Sequence, residues 1–248
     1  MSGVNLTLLD PNASDEPFPP VEMAWDEPNG LLAVGGDLSS QRLLNAYNSG
    51  VFPWFNENEP YYWWSPNPRA VIYPHEIRIS RSLRKSIRNK GYRLSFDEDF
   101  SATMKCCAAP RDYGGGTWIT DEMLDAYSQL HKMGHAHSVE IRSANDELIG
   151  GLYGVAVRGV FCGESMFSFA TDTSKMAFVG LAAHLQQWGY QLIDCQIENP
   201  HLLSLGAHPM PRDEYLKTLK QSPIPKFHQW KADTSLDLSH WIPEKPRS

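Results

Sequence analysis

The sequence predicts an α+β fold, with a small N-terminal α/β domain followed by a larger domain whose helices pack on a mostly antiparallel sheet. Three observations predict it. Strand-like runs at 92–96, 137–143 and 147–168 are bunched rather than alternating regularly with helices. Two long helical patterns, TDEMLDAYSQLHKMG at 120–134 and TSKMAFVGLAAHLQQWG at 173–189, flank the strand cluster. The segment SPNPR at 65–69 breaks regular structure with two prolines and marks a domain junction. The boundary therefore falls between 1–64 and 65–248, with a Pro-rich, partly ordered tail from about 222.

Each element has a local reason. In the first domain, Asp37 or Ser39 can cap a helix whose apolar face is Leu38, Leu43, Leu44 and Tyr47 and which stops near Gly50. AVIYP at 70–74 reads as a strand, and 80–90 as a basic helix. DEDFSATMKCCAAP places Phe100, Met104 and Cys107 on one helical face and ends at Pro110. Thr120 caps the next helix and Gly134 closes it. HSVEIRS, then ELIGGLYGVAVRGVFCGESMFS with a turn at Arg158-Gly159, give successive antiparallel strands. YQLIDCQ at 190–196 is a short apolar strand suited to the sheet centre.

Composition narrows the class. With 248 residues, 42% hydrophobic and 21% charged, the chain can bury a substantial core. No apolar run is long enough to span a membrane, and the first 20 residues lack the basic and apolar regions of a secretory signal. Four cysteines without a CxxC pair point to reduced thiols and a cytoplasmic setting. The net charge of −7 conceals an asymmetry: residues 1–64 hold nine acids and one base, Arg42, while the remainder is close to neutral.

Several motifs are absent or weak. There is no GxxxxGK[ST] loop, no GxGxxG and no HExxH, and the GESMF context of Ser165 is not a nucleophile elbow. His131 and His135 are four residues apart, but Gly134 interrupts the helix between them, so a structural or exposed role is expected for the HKMGHAH histidines. Gly114-Gly115-Gly116 reads as a flexible approach to Trp118.

Two features carry more. The segment RISRSLRKSIRNKGYR, 78–93, has seven Arg or Lys and no acid. On a helix Arg81, Arg84, Lys85 and Arg88 share a face, an uncompensated positive stripe suited to RNA phosphates, with tryptophans nearby for unpaired bases. In YQLIDCQ, strand alternation puts Asp194 and Gln196 on one side, with Asn199 and His201 where the strand runs out. Glu164, inside the apolar run VFCGESMFS, needs either solvent or a cleft, and the same alternation sets it beside Met166.

These residues together resemble the leucyl/phenylalanyl-tRNA–protein transferase family. The matching stretches are EPNGLLAVGGDLS, GVFPWF, WWSPNPRAVI, GTWIT, LHKMGHAHSVE, GGLYGVAVRGVFCGESMFS, Ser174-Lys175, and IDCQ with HLLSLGA, in order from about residue 18 to 215. Asn67 stands where the family more often carries Asp.

The resemblance implies a C-terminal domain like the N-acetyltransferase acyltransferases. It implies transfer of Leu or Phe, less readily Met, from the 3′ end of aminoacyl-tRNA to the α-amine of proteins beginning with Arg or Lys, which marks them for degradation. No metal or other cofactor is implied, because the donor ester is already activated. By match to the family, Asp194 and Gln196 are assigned to catalysis. The donor aminoacyl-adenosine site would be formed by Trp54, Trp118, Leu152, Phe161, Gly163, Glu164, Met166, Phe178, Leu181, Ile193 and Asn199. An amide is a weak base, so Gln196 is expected to orient the amine while Asp194 polarises it. Glu164 is expected to bind the aminoacyl end or to position Gln196 rather than act as the main base, with the amine's proton leaving through Asp194, water or the ribose hydroxyl. Competing readings are a small-molecule or peptidoglycan-type N-acyltransferase and a non-catalytic RNA-binding protein. The acidic N-terminal region is expected to draw in a cationic acceptor.

Overall fold

A computed structural model describes residues 6–109, 119–225 and 228–244. The fold is α+β. The N-terminal part forms a four-stranded sheet of β1 (Thr7–Leu9), β2 (Leu31–Gly35), β3 (Phe52–Pro53) and β4 (Tyr62–Trp64), in the order β1-β2-β4-β3. These strands are two to five residues long, too short for a readable period, and the sequence marks only the helix among them, α1 (Ser40–Asn48). Ser39 caps that helix by accepting from the Arg42 N–H at 3.2 Å. Aromatic side chains fill the space beneath the sheet, with Phe52, Phe55 and Trp63 all buried.

The second sheet has seven strands in the order β11-β5-β10-β9-β8-β7-β6. They are β5 (Arg69–Ile72), β6 (Arg93–Phe96), β7 (Ala136–Arg142), β8 (Leu148–Val157), β9 (Val160–Ser168), β10 (Leu192–Gln196) and β11 (His208–Met210). All pairs are antiparallel except β9 with β10, which run parallel over three rungs ending at Asp194↔Cys162. The helices are α2 (Arg81–Asn89), α3 (Phe100–Ala108), α4 (Asp121–Lys132), α5 (Thr173–Trp188), α6 (Pro200–Ser204) and α7 (Arg212–Gln221). Each expected helix from 80 to 189 is present, with Ser80, Asp99 and Thr120 as side-chain caps for α2, α3 and α4.

One apolar cluster lies on each face of this sheet. α3, α4, α7 and the N-terminal aromatics build the first around Met104, Tyr127 and Tyr153. α5 builds the second, against Leu152, Phe161 and Ile193. Central strands buried on both faces read as continuous apolar runs, which is why β8 to β10 do not alternate in sequence. The tail packs more closely than a Pro-rich extension predicts. Trp230 stacks on His137 at 3.8 Å, and Asp233 N–H donates to His184 Nε2 at 2.9 Å, so residues 228–244 lie across α5. Among the described residues no helix is long and apolar enough to cross a membrane.

Candidate functional site

Two irregularities in the sheet create the site. β8 pairs Tyr153 with Ser165 and Gly154 with Gly163, leaving Glu164 as the extra residue of a bulge in β9. Gly154 permits this: a Cβ there would lie 2.2 Å from the Cys162 carbonyl oxygen. On the neighbouring strand, β5 pairs Val71 with Asp194 and Ala70 with Gln196, which leaves Cys195 unpaired. Beyond Asp194↔Cys162 the parallel strands part, and a cavity of about 890 Å³ opens in the gap.

The Cys195 bulge corrects the expected arrangement. Asp194 and Gln196 occupy consecutive rungs against β5, so they do not share a face. Gln196 turns out to line the cavity, its backbone in the left-handed region at φ 63°, where non-glycine residues are uncommon. Asp194 is fully buried behind the wall. Arg69 Nε and Nη2 donate to its two carboxylate oxygens at 2.8 and 2.7 Å, and Tyr215 OH donates at 2.8 Å. Its fourth donor is the Gln196 N–H at 2.8 Å, so the carboxylate acts on the strained backbone of Gln196 and not on the open space. Phe52 and Tyr215 sandwich the guanidinium of Arg69, each with its centroid 4.7 Å away.

Glu164 occupies the cleft and not solvent. Gln196 Nε2 donates to Glu164 Oε1 at 2.9 Å, bridging the gap between the parted strands. Tyr127 OH donates to Oε2 at 3.3 Å, and Tyr127 shares a short hydrogen bond with Tyr47. No Arg or Lys pairs with this carboxyl among the described residues. Burial pushes it up to about 8, with hydrogen bonds from Tyr47 and Tyr127 pulling only part of the way back. Both tyrosine hydroxyls are raised well above their ordinary value, by burial first and the Glu164 charge second, so they remain donors. The bulge alters the expected neighbourhood too. Glu164 reaches the tyrosine side of the sheet while Met166 packs with the α5-side cluster, and both still border the cavity.

The remaining expected site residues divide clearly. Trp54, Leu152, Phe161, Gly163, Met166, Phe178, Leu181 and Asn199 border the cavity together with Glu164 and Gln196. Ile193 does not: it is fully buried in the α5-side core and helps to hold the floor. Asn199 Oδ1 caps α6 by accepting from the Leu202 N–H at 2.9 Å. Trp118 lies outside the described residues, as does the glycine run at 114–116. Sequence reasoning missed Arg69, Tyr215, Tyr47 and Tyr127 as supports. Tyr47 looked like an ordinary core position of α1, and no local motif links any of the four to Glu164 or Asp194. The one available signal was glycine inside strands, at 154 and 163, which often marks a bulge.

On the basic helix, Arg81, Lys85 and Arg88 are exposed. Arg84 departs from the expected free face: its Nη1 donates to the carbonyls of Trp241 at 2.8 Å and Ser239 at 3.4 Å, so the tail covers it. His131 and His137 converge with Asp97, their ligand-type atoms all within 4.8 Å of one another. These atoms already have partners. His131 Nδ1 bonds the Ala136 carbonyl at 2.8 Å and His137 Nδ1 bonds Asp97 Oδ2 at 2.7 Å, while His137 also stacks on Trp230. The cluster ties β7 to α4 and the tail.

Comparison with known proteins follows the same lines. The family model described as leucyl/phenylalanyl-tRNA protein transferase matches residues 71–220, and that of its N-terminal domain matches 36–67. A leucyl/phenylalanyl-tRNA–protein transferase of Nitrosomonas europaea is 56% identical over 208 residues, covering 84% of this chain and 88% of that one. The enzyme of the same name from Pseudomonas syringae pv. syringae is 53% identical over 216 residues, covering 87% and 93%. Among solved structures, L-PGS from Bacillus licheniformis aligns over 63% of this chain and 50% of its own with a TM-score of 0.39 and 13% identity, too loose to bear on function.

Proposed function

The chain belongs to the leucyl/phenylalanyl-tRNA protein transferase family, and from that premise we propose that it moves a leucyl or phenylalanyl group from aminoacyl-tRNA to the α-amine of a protein beginning with Arg or Lys. The observation that carries the site assignment is the Gln196–Glu164 hydrogen bond at 2.9 Å, set across the mouth of a large, mostly apolar cavity.

The apolar wall of Leu152, Phe161, Met166, Phe178 and Leu181 receives the aminoacyl side chain. Methionine suits a pocket that must take both a branched and a flat chain. Trp54, 43% exposed at the rim, receives the terminal adenosine, and Arg81, Lys85 and Arg88 contact the tRNA backbone.

Chemistry assigns the polar groups. Because Gln196 Nε2 donates to Glu164, its amide oxygen is left to accept a hydrogen bond from the incoming amine. A protein α-amine titrates at about 7.7–8.0. Burial lifts Glu164 to about 8, into the range of such an amine, so that its ionised form takes the proton of the arriving ammonium. The neutral nitrogen attacks the ester carbonyl, a C–N bond forms, the bond to the ribose oxygen breaks, and that oxygen leaves with a proton. Asp194 is a positioning residue: held by Arg69 and Tyr215, its carboxylate accepts directly from the Gln196 N–H and fixes that backbone.

The test is incubation with Phe-tRNA carrying labelled Phe and peptides differing only in their first residue. Label should enter Arg- and Lys-initiated peptides, and transfer that ignores the first residue overturns the reading in favour of a broader N-acyltransferase. Absence of any transfer leaves only RNA binding.

A further inference from the structure

Three large apolar side chains at the cavity border are exposed: Trp54 at 43%, Ile197 at 44% and Phe169 at 61%. The proposed chemistry uses only the first. Phe169 is held in place and is not a loose loop side chain. Its N–H donates to the Ile149 carbonyl at 2.8 Å, and its ring leans on the buried Phe167, with centroids 5.0 Å apart. It begins the short connection from β9 to α5. That same connection is tied to the basic helix: Ser86 Oγ donates to Asp172 Oδ2 at 2.7 Å and Lys90 Nζ donates to the Thr171 carbonyl at 3.1 Å.

Phe169 therefore stands between two features that one ligand must touch at once. On one side is the cavity, and on the other is α2 with its exposed Arg81, Lys85 and Arg88. A single strand whose phosphates follow α2 and whose last nucleoside enters the cavity passes over this ring. An exposed aromatic face on such a path is a stacking platform for an unpaired base.

We propose that Phe169 stacks the base of the cytidine that precedes the terminal adenosine of the donor RNA. This assignment rests on the aminoacyl-tRNA reading above. It makes Phe169 a binding residue for the strand, distinct from the pocket that holds the aminoacyl-adenosine.

The experiment compares three Phe-loaded donors, 3′-phenylalanyl-adenosine, phenylalanyl-cytidylyl-adenosine and Phe-tRNA, with an Arg-initiated peptide as acceptor. In the wild-type protein the added cytidine should lower KM. In Phe169→Ala that gain should vanish, and KM for Phe-tRNA should rise by roughly 5- to 150-fold, the worth of one base–aromatic stack. KM for phenylalanyl-adenosine, kcat and the melting temperature should stay within about twofold or a degree or two. Phe169→Trp should restore the gain. An equal rise with phenylalanyl-adenosine, a rise in peptide KM, or no change with any donor overturns the proposal. If wild-type protein gains nothing from either the cytidine or the rest of the tRNA, the RNA reading itself falls, separately from Phe169.

Discussion

Asp194 and Glu164 are two carboxyls withdrawn from bulk water on adjacent strands, and their surroundings are opposite. Asp194 receives four donors, including both arms of a guanidinium, and does not reach the cavity. Glu164 has an amide and tyrosine hydroxyls for neighbours and borders the cavity, with its proton held up to about 8. The difference teaches where charge is structural and where it is kept available. A carboxylate saturated by a cation has no capacity left to exchange protons with a substrate, whereas one without a cation can do so near neutral pH.

Removing half of the saturated pair should have the largest effect. Asp194→Ala leaves Arg69 buried without its partner, and breaking a buried pair costs about 3–5 kcal/mol. Chemical denaturation should register a loss of that size, together with loss of transfer. The double replacement Asp194→Leu with Arg69→Met should recover much of the stability, since a well-packed apolar pair often substitutes without penalty. Activity should not return, because the Gln196 N–H loses its acceptor. Recovery of activity in the stable double variant would show that Asp194 has no positioning role.

Glu164→Gln should do the reverse, lowering transfer on the order of 10²-fold while leaving stability near or above wild type at neutral pH. Its pH signature has a defined sign. The unfolded carboxyl releases its proton at about 4.3, whereas the folded one releases it near 8. Between those values the folded protein binds the extra proton, so stability falls as pH rises through the window and levels off above it. Denaturation across pH 4.5–8.5 should show this slope in the wild type and its reduction in Glu164→Gln. Equal slopes would place the titrating group elsewhere.

Most of the fold was readable because caps and helical period are local. Ser39, Asp99 and Thr120 each cap the helix that the pattern predicts. The N-terminal strands were not, because two to five residues carry no period. At the site, the identity of Glu164 and Gln196 was legible from their polarity within apolar strands, but their geometry was not. Each bulge inserts one residue and flips the faces that follow, so alternation paired Asp194 with Gln196 and Glu164 with Met166 where the structure parts them. Arg69 immediately follows Pro68 at the junction, yet its partner lies 125 positions away, a contact no local rule can supply.

The smallest effect should come from charges that neither carboxyl site contains. Residues 1–64 carry a net −8, and Glu57 and Glu59 are exposed beside the aromatic cluster that leads to Trp54. A cationic acceptor would be drawn to this field before it meets Glu164. Screening limits such attraction to roughly 10 Å at 0.1 M salt. The double variant Glu57→Gln with Glu59→Gln should therefore raise peptide KM by no more than about threefold at low salt and not at all at high salt, with kcat unchanged. Steady-state kinetics at two ionic strengths checks this, and a peptide KM insensitive to both salt and the substitutions would confine acceptor recognition to the cavity.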